Sequence, residues 1–266
     1  MKNILLYGGN GYFGSYYINK ILREKTFNIN VRLDNLLEEN FNISGVDAVL
    51  YLAAKQQTQK DDPNFNKINT EIPVKLAEIC EEHNKQFVYF STDQVFKSDE
   101  TKEYREHDVQ NSPTKYGISK YECENRIKNK DNVAIIRTSM IYGYKHHNRD
   151  NLFSFLRKNC LKQKISLYKD CFVRPTHIND LSNCLNHIIE EKKVGIFHCL
   201  SENKISRFDL AKEFYFAQKL EDKADLYLEP ECVNNSDLQK NINMLCTESM
   251  THFFNTNLNK GILDEI

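Results

Sequence analysis

The chain opens on a short apolar run, Lys2 to Tyr7, that ends in Gly8-Gly9-Asn10-Gly11-Tyr12-Phe13-Gly14, and a helix-compatible segment follows to about Lys25. A strand, a glycine turn and a helix in that order constrain the fold more than any other feature of the sequence. Glycines let the chain turn tightly, let the backbone approach a ligand, and let the helix pack close on the strand. The helix start then offers unpaired N–H groups and a positive dipole end, which suit phosphate. A plain packing turn has no need of three spaced glycines. The turn predicts a dinucleotide site built from Gly8, Gly11, Tyr12, Phe13 and Gly14.

The following segments alternate in the same sense. Ile29 to Leu33 reads as the second strand, with Asp34 at its end. An acidic residue there suits ribose hydroxyls and an arginine suits a 2′-phosphate. Arg32 and Asp34 therefore point in opposite directions, and the choice between NAD and NADP stays open. So little chain precedes the next strand that one standard strand-helix element is expected to be reduced or missing. Val46 to Leu52 is a near-continuous apolar run followed by Ala53 and Ala54, and small residues at a strand end let a ligand approach. Asn66 to His83 reads as a helix with Pro73 in or near its first turn. Gln86 to Phe90 is a further buried strand, and it delivers Ser91 and Thr92 to the edge where open α/β sheets bind ligands.

Past a charged loop, Lys97 to Asn111, comes Ser112-Pro113-Thr114-Lys115-Tyr116-Gly117-Ile118-Ser119-Lys120. The loop is a candidate lid. Residues four apart share a helix face, so Tyr116 and Lys120 can enter one site. A phenol titrates near pH 10, and a nearby cation would lower that and make it a usable acid-base group. Asn132 to Ile136 reads as a strand leading into Arg137, Thr138 and Ser139. Beyond Met140 the pattern becomes irregular. Helices are expected over Leu152–Leu161, 179–190 and from Ser206 to about Lys219, with a strand over Gly195–Leu200 and weak signals past Asp222. His198 reads as a core residue and His146-His147 as exposed loop.

These signals predict an α/β fold: a Rossmann-like doubly wound parallel sheet with a smaller C-terminal substrate-binding lobe. The expected division gives 1–142 to the dinucleotide-binding domain, with 178–200 returning to it, and gives 143–177 and 201–266 to the lobe. A net charge of −1 supplies no field for a nucleic acid polymer or an acidic membrane. Eight cysteines without a CxxC pair argue against zinc and against a disulfide framework. Reduced thiols in the cytoplasm are the expected state, and no signal peptide or membrane span is read.

Gly8-x-x-Gly11-x-x-Gly14, Leu52-Ala53-Ala54, Ser91-Thr92-Asp93 and Tyr116-x-x-x-Lys120 together resemble the extended short-chain dehydrogenase/reductase family. Asn69-x-x-x-Pro73-x-x-Leu76-Ala77, Thr92-Asp93-x-Val95-Phe96, Tyr104-x-Glu106, Arg137-Thr138-Ser139 and Pro175-Thr176 are most similar to its dTDP-4-dehydrorhamnose reductase branch. The resemblance covers roughly Met1 to Leu200. It implies a catalytic set of Thr92, Tyr116 and Lys120 working with NADPH or NADH. Tyr116 would protonate a substrate carbonyl, Lys120 would hold the nicotinamide ribose, and Thr92 would orient the carbonyl. Leu52, Ala53, Ala54, Arg137 and Thr138 would join the cofactor site. Asp93, Gln94, Asn151 and Arg174 would meet a nucleotide-sugar substrate, with the Arg174 fork on its diphosphate.

Related dehydratases carry Thr-Asp-Glu where this chain has Thr92-Asp93-Gln94, and a neutral amide cannot take part in water elimination. The implied activity is reduction of a 4-keto group on a nucleotide-linked 4-keto-6-deoxyhexose, in a homodimer. Two alternatives stand beside it. One is a nucleotide-sugar 4-epimerase with tightly held NAD, and the other is a non-catalytic regulatory subunit such as that of methionine adenosyltransferase.

Overall fold

The structure, a computed structural model, describes residues 1–32, 41–99, 101–143, 151–232 and 242–263. In chain order its first elements are β1 (Asn3–Tyr7), α1 (Tyr12–Glu24), β2 (Asn28–Arg32), β3 (Ala48–Tyr51), α2 (Ile72–Glu82), β4 (Gln86–Thr92), α3 (Lys115–Ile127) and β5 (Val133–Thr138). There follow β6 (Ile141–Tyr142), α4 (Leu152–Asn159), β7 (Ile165–Tyr168), β8 (Phe172–Val173), β9 (Thr176–His177), α5 (Ile178–Glu190) and β10 (Gly195–His198). The chain closes with β11 (Ile205–Ser206), α6 (Arg207–Ala217), α7 (Glu221–Tyr227), β12 (Leu228–Glu231) and α8 (Leu258–Leu263).

Six strands form one sheet in the order β10-β5-β4-β3-β1-β2, every pair parallel. All seven residues of β4 are buried, the continuous apolar pattern of a strand covered on both faces. Alternation then sorts its side chains. Val88 and Phe90 pack with Phe13, Tyr17 and Ile21 of α1 and with Leu181, Leu185 and Ile188 of α5. Phe87 and Tyr89 pack with Leu76, Ala77 and Cys80 of α2 and with Cys123 and Ile127 of α3. The doubly wound sheet predicted from the alternation is therefore present. β2 lies on one side of β1 and β3 on the other, so the winding reverses at β1, and the crevice beyond that reversal is where such sheets bind ligands.

Asp34 lies outside the described residues, and among those described no strand intervenes between Arg32 and Ala48. Before α2 the backbone makes a π-helical turn, Lys67–Glu71, and Pro73 occupies the first turn of α2, where a missing N–H does no harm.

A third apolar cluster joins Tyr142, Phe153, Leu156, Ile165, Leu210, Phe214 and Leu228 from β6, α4, β7, α6 and β12. Met244, Cys246, Met250 and Phe254, by contrast, pack into the core of the main sheet. The C-terminal third thus divides between the two bodies, where the sequence placed 201–266 wholly in the lobe. The expected lid over 97–111 is also pinned down. Tyr104 donates its N–H to Asn243 O (2.8 Å) and accepts from Leu245 N (3.0 Å), while its ring stacks on Phe96 at 4.3 Å. No helix among the described residues is long and apolar enough to cross a membrane, and all eight cysteines are free thiols.

Candidate active site

At the end of β1, Gly8 has φ +91°, and a Cβ there would lie 2.5 Å from Ala53 N. Only glycine lets the first turn meet the end of β3 this closely. Leu52, Ala53 and Ala54 thereby border the turn, all half-buried. Gly11 is the N-cap of α1, with no side-chain cap and no acidic residue in the first turn. The positive dipole end of α1 therefore meets no side-chain cap and no acid of its own, which suits an anion. Gly14 packs against the Gly8 carbonyl. Phe13 is a core residue, stacked on Phe90 at 5.0 Å and on Tyr17 at 5.7 Å, so only its backbone can serve a cofactor. Tyr12 is half-buried, and Arg32 stands beside Tyr7 in the sheet register.

Two strands away, Thr92 closes β4. Its Oγ1 donates to Asp93 Oδ1 (3.1 Å) and accepts from Gln94 N (3.3 Å). Ser139 Oγ holds the other Asp93 oxygen at 2.7 Å. Burial nonetheless raises the Asp93 carboxyl above its usual range. Gln94 sits half-buried in the same tight turn. The first turn of α3 lies flat against that turn, since a Cβ on Gly117 would run into Gln94 O. Thr114 caps α3 by accepting from Gly117 N at 3.1 Å.

Tyr116 and Lys120 project from one face of α3, both buried. Lys120 Nζ donates to Phe90 O (2.7 Å) and lies 4.4 Å above the Tyr89 ring. Burial lowers its pKa to about 8. The phenol of Tyr116 is pushed well above its ordinary value, chiefly by burial and then by the Asp93 charge, while Gln56 acts in the opposite direction. This corrects the expectation that Lys120 lowers the phenol, because the ammonium is turned toward the end of β4. The phenol is held protonated at neutral pH.

Three further expected contacts are engaged elsewhere. Arg137 is 1% exposed and pairs with Glu124 of α3 (Nη2–Oε2 2.6 Å, Nε–Oε1 3.2 Å), donates to Glu106 O at 3.2 Å, and meets His198 Nε2 at 3.1 Å. With its donors consumed in the core, Arg137 is a strut and its side chain offers nothing to a cofactor. His198 is neutral, its pKa lowered to about 4 by burial and then by Arg137, with Nδ1 on Leu245 O at 2.9 Å. It is the core residue that the sequence suggested. Arg174 donates to Glu202 O and to Asn243 Oδ1 (2.7 Å). Its fork thus ties the segment after β10 to the stretch that pairs with Tyr104, and its Nε is left without a partner. Asn151 is the N-cap of α4, its Oδ1 accepting from Ser154 N at 2.8 Å and its own N–H donating to Ser154 Oγ at 2.9 Å.

Sequence reasoning missed two contributors. Asn69, fully buried in the π-helical turn, accepts from Lys55 N (2.8 Å) and donates to Lys55 O (2.9 Å) and Ser119 Oγ (3.1 Å). It joins the segment after β3 to the residue beside Lys120. The Asn69–Pro73 spacing was visible, and its use as a clamp was not. Arg207, first residue of α6, acts electrostatically on Asp93, and nothing in its local sequence signals this. Ser91, delivered to this edge as the sequence implied, has a buried Oγ without a partner, like Thr138 Oγ1 at the end of the neighbouring strand.

The family model described as RmlD substrate binding domain matches residues 1–242. Among curated proteins, a dTDP-4-dehydrorhamnose reductase of Aggregatibacter actinomycetemcomitans is 31% identical over 143 residues, covering 51% of this chain and 48% of that one. The chain spans about half the length of the curated relatives it matches. Among solved structures, a dTDP-4-dehydrorhamnose reductase from Clostridium acetobutylicum superposes with TM-score 0.81 at 25% identity, covering 99% and 97% of the two chains. A Bacillus anthracis dTDP-4-dehydrorhamnose reductase solved in complex with NADP gives TM-score 0.83 at 22% identity, covering 98% and 97%.

Proposed function

The chain belongs to the RmlD substrate-binding-domain family, and from that premise we propose that it is an NAD(P)H-dependent reductase of the 4-keto group of a nucleotide-linked 4-keto-6-deoxyhexose. The observation that carries the reading is the convergence of Tyr116, Lys120 and Thr92 beside the ends of β4 and β5, across the crevice from the uncapped start of α1. The residues present fit a dinucleotide. Gly8, Gly11 and Gly14 shape a cradle that a Cβ would fill, and the orphan hydroxyls of Ser91 and Thr138 stand at the ends of adjacent strands. NADPH or NADH, when bound, supplies the hydride.

Tyr116 gives its phenolic proton to the carbonyl oxygen as the carbonyl carbon is reduced, and water returns the proton to the phenolate afterwards. Lys120 has two ammonium donors beyond the one on Phe90 O, enough to hold ribose hydroxyls. Thr92 orients the carbonyl once its hydroxyl turns from Asp93, and Asp93 and Gln94 line the sugar side. Gln94 is neutral and cannot exchange a proton, which favours reduction over dehydration. Retention of Thr92, Tyr116 and Lys120 together favours an enzyme over a binding-only subunit. With Arg137 and Arg174 engaged internally, Arg207, which acts electrostatically on Asp93, is a cation for a diphosphate.

The proposed domain division keeps 1–142 with 178–200 around the dinucleotide and gives 143–177 with 201–232 to the substrate, 244–254 staying with the sheet. A cytoplasmic setting agrees with eight free thiols. A homodimer would use the outer faces of α2 and α3, where Lys75, Glu78, Glu122 and Arg126 are exposed, so its sedimentation is expected to be salt-dependent. The decisive test follows NADPH and NADH absorbance over a panel of 4-keto-6-deoxy sugar nucleotides. Tyr116→Phe is expected to lower kcat by at least about 100-fold. Unchanged turnover in that variant would sink the reading.

A further inference from the structure

Side chains hold both backbone groups of Tyr116. At its carbonyl, Ser119 Oγ donates at 2.8 Å, and that hydroxyl accepts from Asn69 Nδ2 at 3.1 Å. At its N–H, Gln57 Oε1 accepts at 2.9 Å. The second hold differs in kind from the rest of the helix start. Tyr116 is the second residue of α3, and its N–H is one of the donors that a helix start leaves unpaired. The neighbouring donors are served locally, Gly117 N by Thr114 Oγ1 at 3.1 Å and Thr114 N by Ser112 Oγ at 3.2 Å. The Tyr116 donor is served by a residue 59 positions earlier in the chain.

The segment that delivers Gln57 is firm on either side of it. Gln57 opens a 3-10 turn, Gln57–Gln59, in which Gln59 N donates to Gln56 O (2.8 Å) and Lys60 N donates to Gln57 O (3.2 Å). Before the turn, Asn69 holds both backbone groups of Lys55, whose ammonium pairs with Asp62 at 2.8 Å. After it, Lys115 Nζ reaches back to Lys60 O. None of these anchors uses the Gln57 side chain. The segment begins at Ala53, against which Gly8 packs so closely that a Cβ would lie 2.5 Å from Ala53 N. The glycine cradle and the backbone of Tyr116 are thus joined by the stretch from Ala53 to Gln57 and one hydrogen bond.

We propose that Gln57 is a positioning residue for Tyr116, its side-chain oxygen fixing the start of α3 to the segment that borders the cradle and so setting where the phenol enters the crevice. The inference rests on Tyr116 as proton donor. No carbonyl of α3 can hold this N–H, and a buried donor left unpaired is costly. Without the amide oxygen the first turn of α3 shifts toward another partner and carries the tyrosine with it. Displacement of a reacting group by about 1 Å is enough to slow the chemical step steeply. The cradle itself keeps its shape, because Asn69 and Lys115 still hold the segment.

The test is Gln57→Leu, compared with Gln57→Glu, using the full chain, NADPH and the 4-keto sugar nucleotide that the wild type turns over best. Leucine keeps most of the bulk and removes the acceptor. Gln57→Leu is expected to lower kcat by about 10- to 100-fold, with the affinity for NADPH, read from its fluorescence without sugar nucleotide, unchanged. Glutamate keeps the length and an acceptor oxygen, and a carboxylate suits a helix start, so Gln57→Glu should return most of the lost rate. Wild-type kcat in Gln57→Leu would overturn the proposal. So would a fall in kcat that Gln57→Glu shares in full, since the acceptor would then not be the determinant. A fall in kcat matched by an equal loss of NADPH affinity also overturns it, because the segment itself would have come away and the bond would be structural only. If Gln57→Leu fails to fold by circular dichroism, Gln57→Ala is put through the same two readouts and the same outcomes decide. Tyr116→Phe run alongside separates the two claims. If that variant stays active the proton-donor reading falls, and if it is inactive while Gln57→Leu turns over normally only the role of Gln57 falls.

Discussion

The starts of α1 and α3 are built alike and finished differently. Each packs a glycine hard against a neighbouring strand end or turn, Gly14 against the Gly8 carbonyl and Gly117 against Gln94 O. At α1 the N-cap is a glycine without a side-chain cap, and no acid lies in the first turn. At α3 Thr114 caps Gly117 N and Gln57 takes the Tyr116 N–H. Along the same face of α3 run Tyr116, Lys120 and Glu124, each four residues on. Glu124 is fixed by Arg137 and by Gln110. A helix start with donors left over can receive a phosphate. A helix whose donors are already satisfied can instead hold side chains still, and catalysis needs both within one crevice.

The contrast breaks most violently at Glu124. The pair with Arg137 is buried at 0% and 1% exposure, and Glu124→Ala leaves the guanidinium uncompensated in the core. The expected loss is about 3–5 kcal/mol, a large share of a typical total stability of roughly 5–15 kcal/mol, read from the urea midpoint. Replacing both partners, as Glu124→Met with Arg137→Met, should recover most of it. If the single change cost under about 1 kcal/mol, α3 would not be anchored by this pair.

On the α1 side the sharper instrument is Gly8→Ala. Here φ is +91° and the new Cβ would sit 2.5 Å from Ala53 N, so the turn must move. Strain of about 1–3 kcal/mol is expected, with NADPH affinity falling by roughly tenfold or more as the cradle opens. Tryptophan is absent, so calorimetry or NADPH fluorescence is the fitting readout. Loss of stability without loss of affinity would mean that the turn is structural only.

Which of these regions could be read from the chain follows from how local its determinants are. The glycine turn and the Tyr116–Lys120 spacing depend on neighbours in sequence, and the structure puts them where the pattern implied. The family resemblance placed Arg137 at the cofactor, and Arg174 was assigned to a substrate diphosphate because its fork suits phosphate. Their true partners lie far along the chain, Glu124 and His198 for one, Glu202 and Asn243 for the other. Asn151, expected at the substrate, caps α4 on Ser154 only three residues away, and that cap could have been recognised from the sequence. The lid expected over 97–111 failed because a strand-like bridge to Met244 cannot be inferred from a charged stretch. For Arg137 and Arg174 the fold supplies partners from far along the chain, which no local pattern announces.

The smallest predicted effect concerns Lys120. Its pKa in the fold is lowered to about 8 by burial, against roughly 10.4 in an unfolded chain. Below pH 8 both states are protonated, and the fold carries the cost of a buried charge. Between pH 8 and about 10.4 the unfolded state binds more protons, so the lysine's contribution to stability rises with pH across that window. Lys120→Met removes the buried charge and also loses the bond to Phe90 O and the contact with Tyr89, which offset part of the gain. The variant should therefore be inactive yet more stable than wild type by about 1 kcal/mol at pH 7. That lead should vanish and then reverse as pH approaches 10, with the other titrating groups cancelling in the difference between the two chains. A stability difference that stays constant from pH 7 to 10 would show that Lys120 is not held under the strain of burial. The ammonium would then be free to turn toward Tyr116, and the contrast between an unsatisfied α1 and a fully engaged α3 would lose its second half.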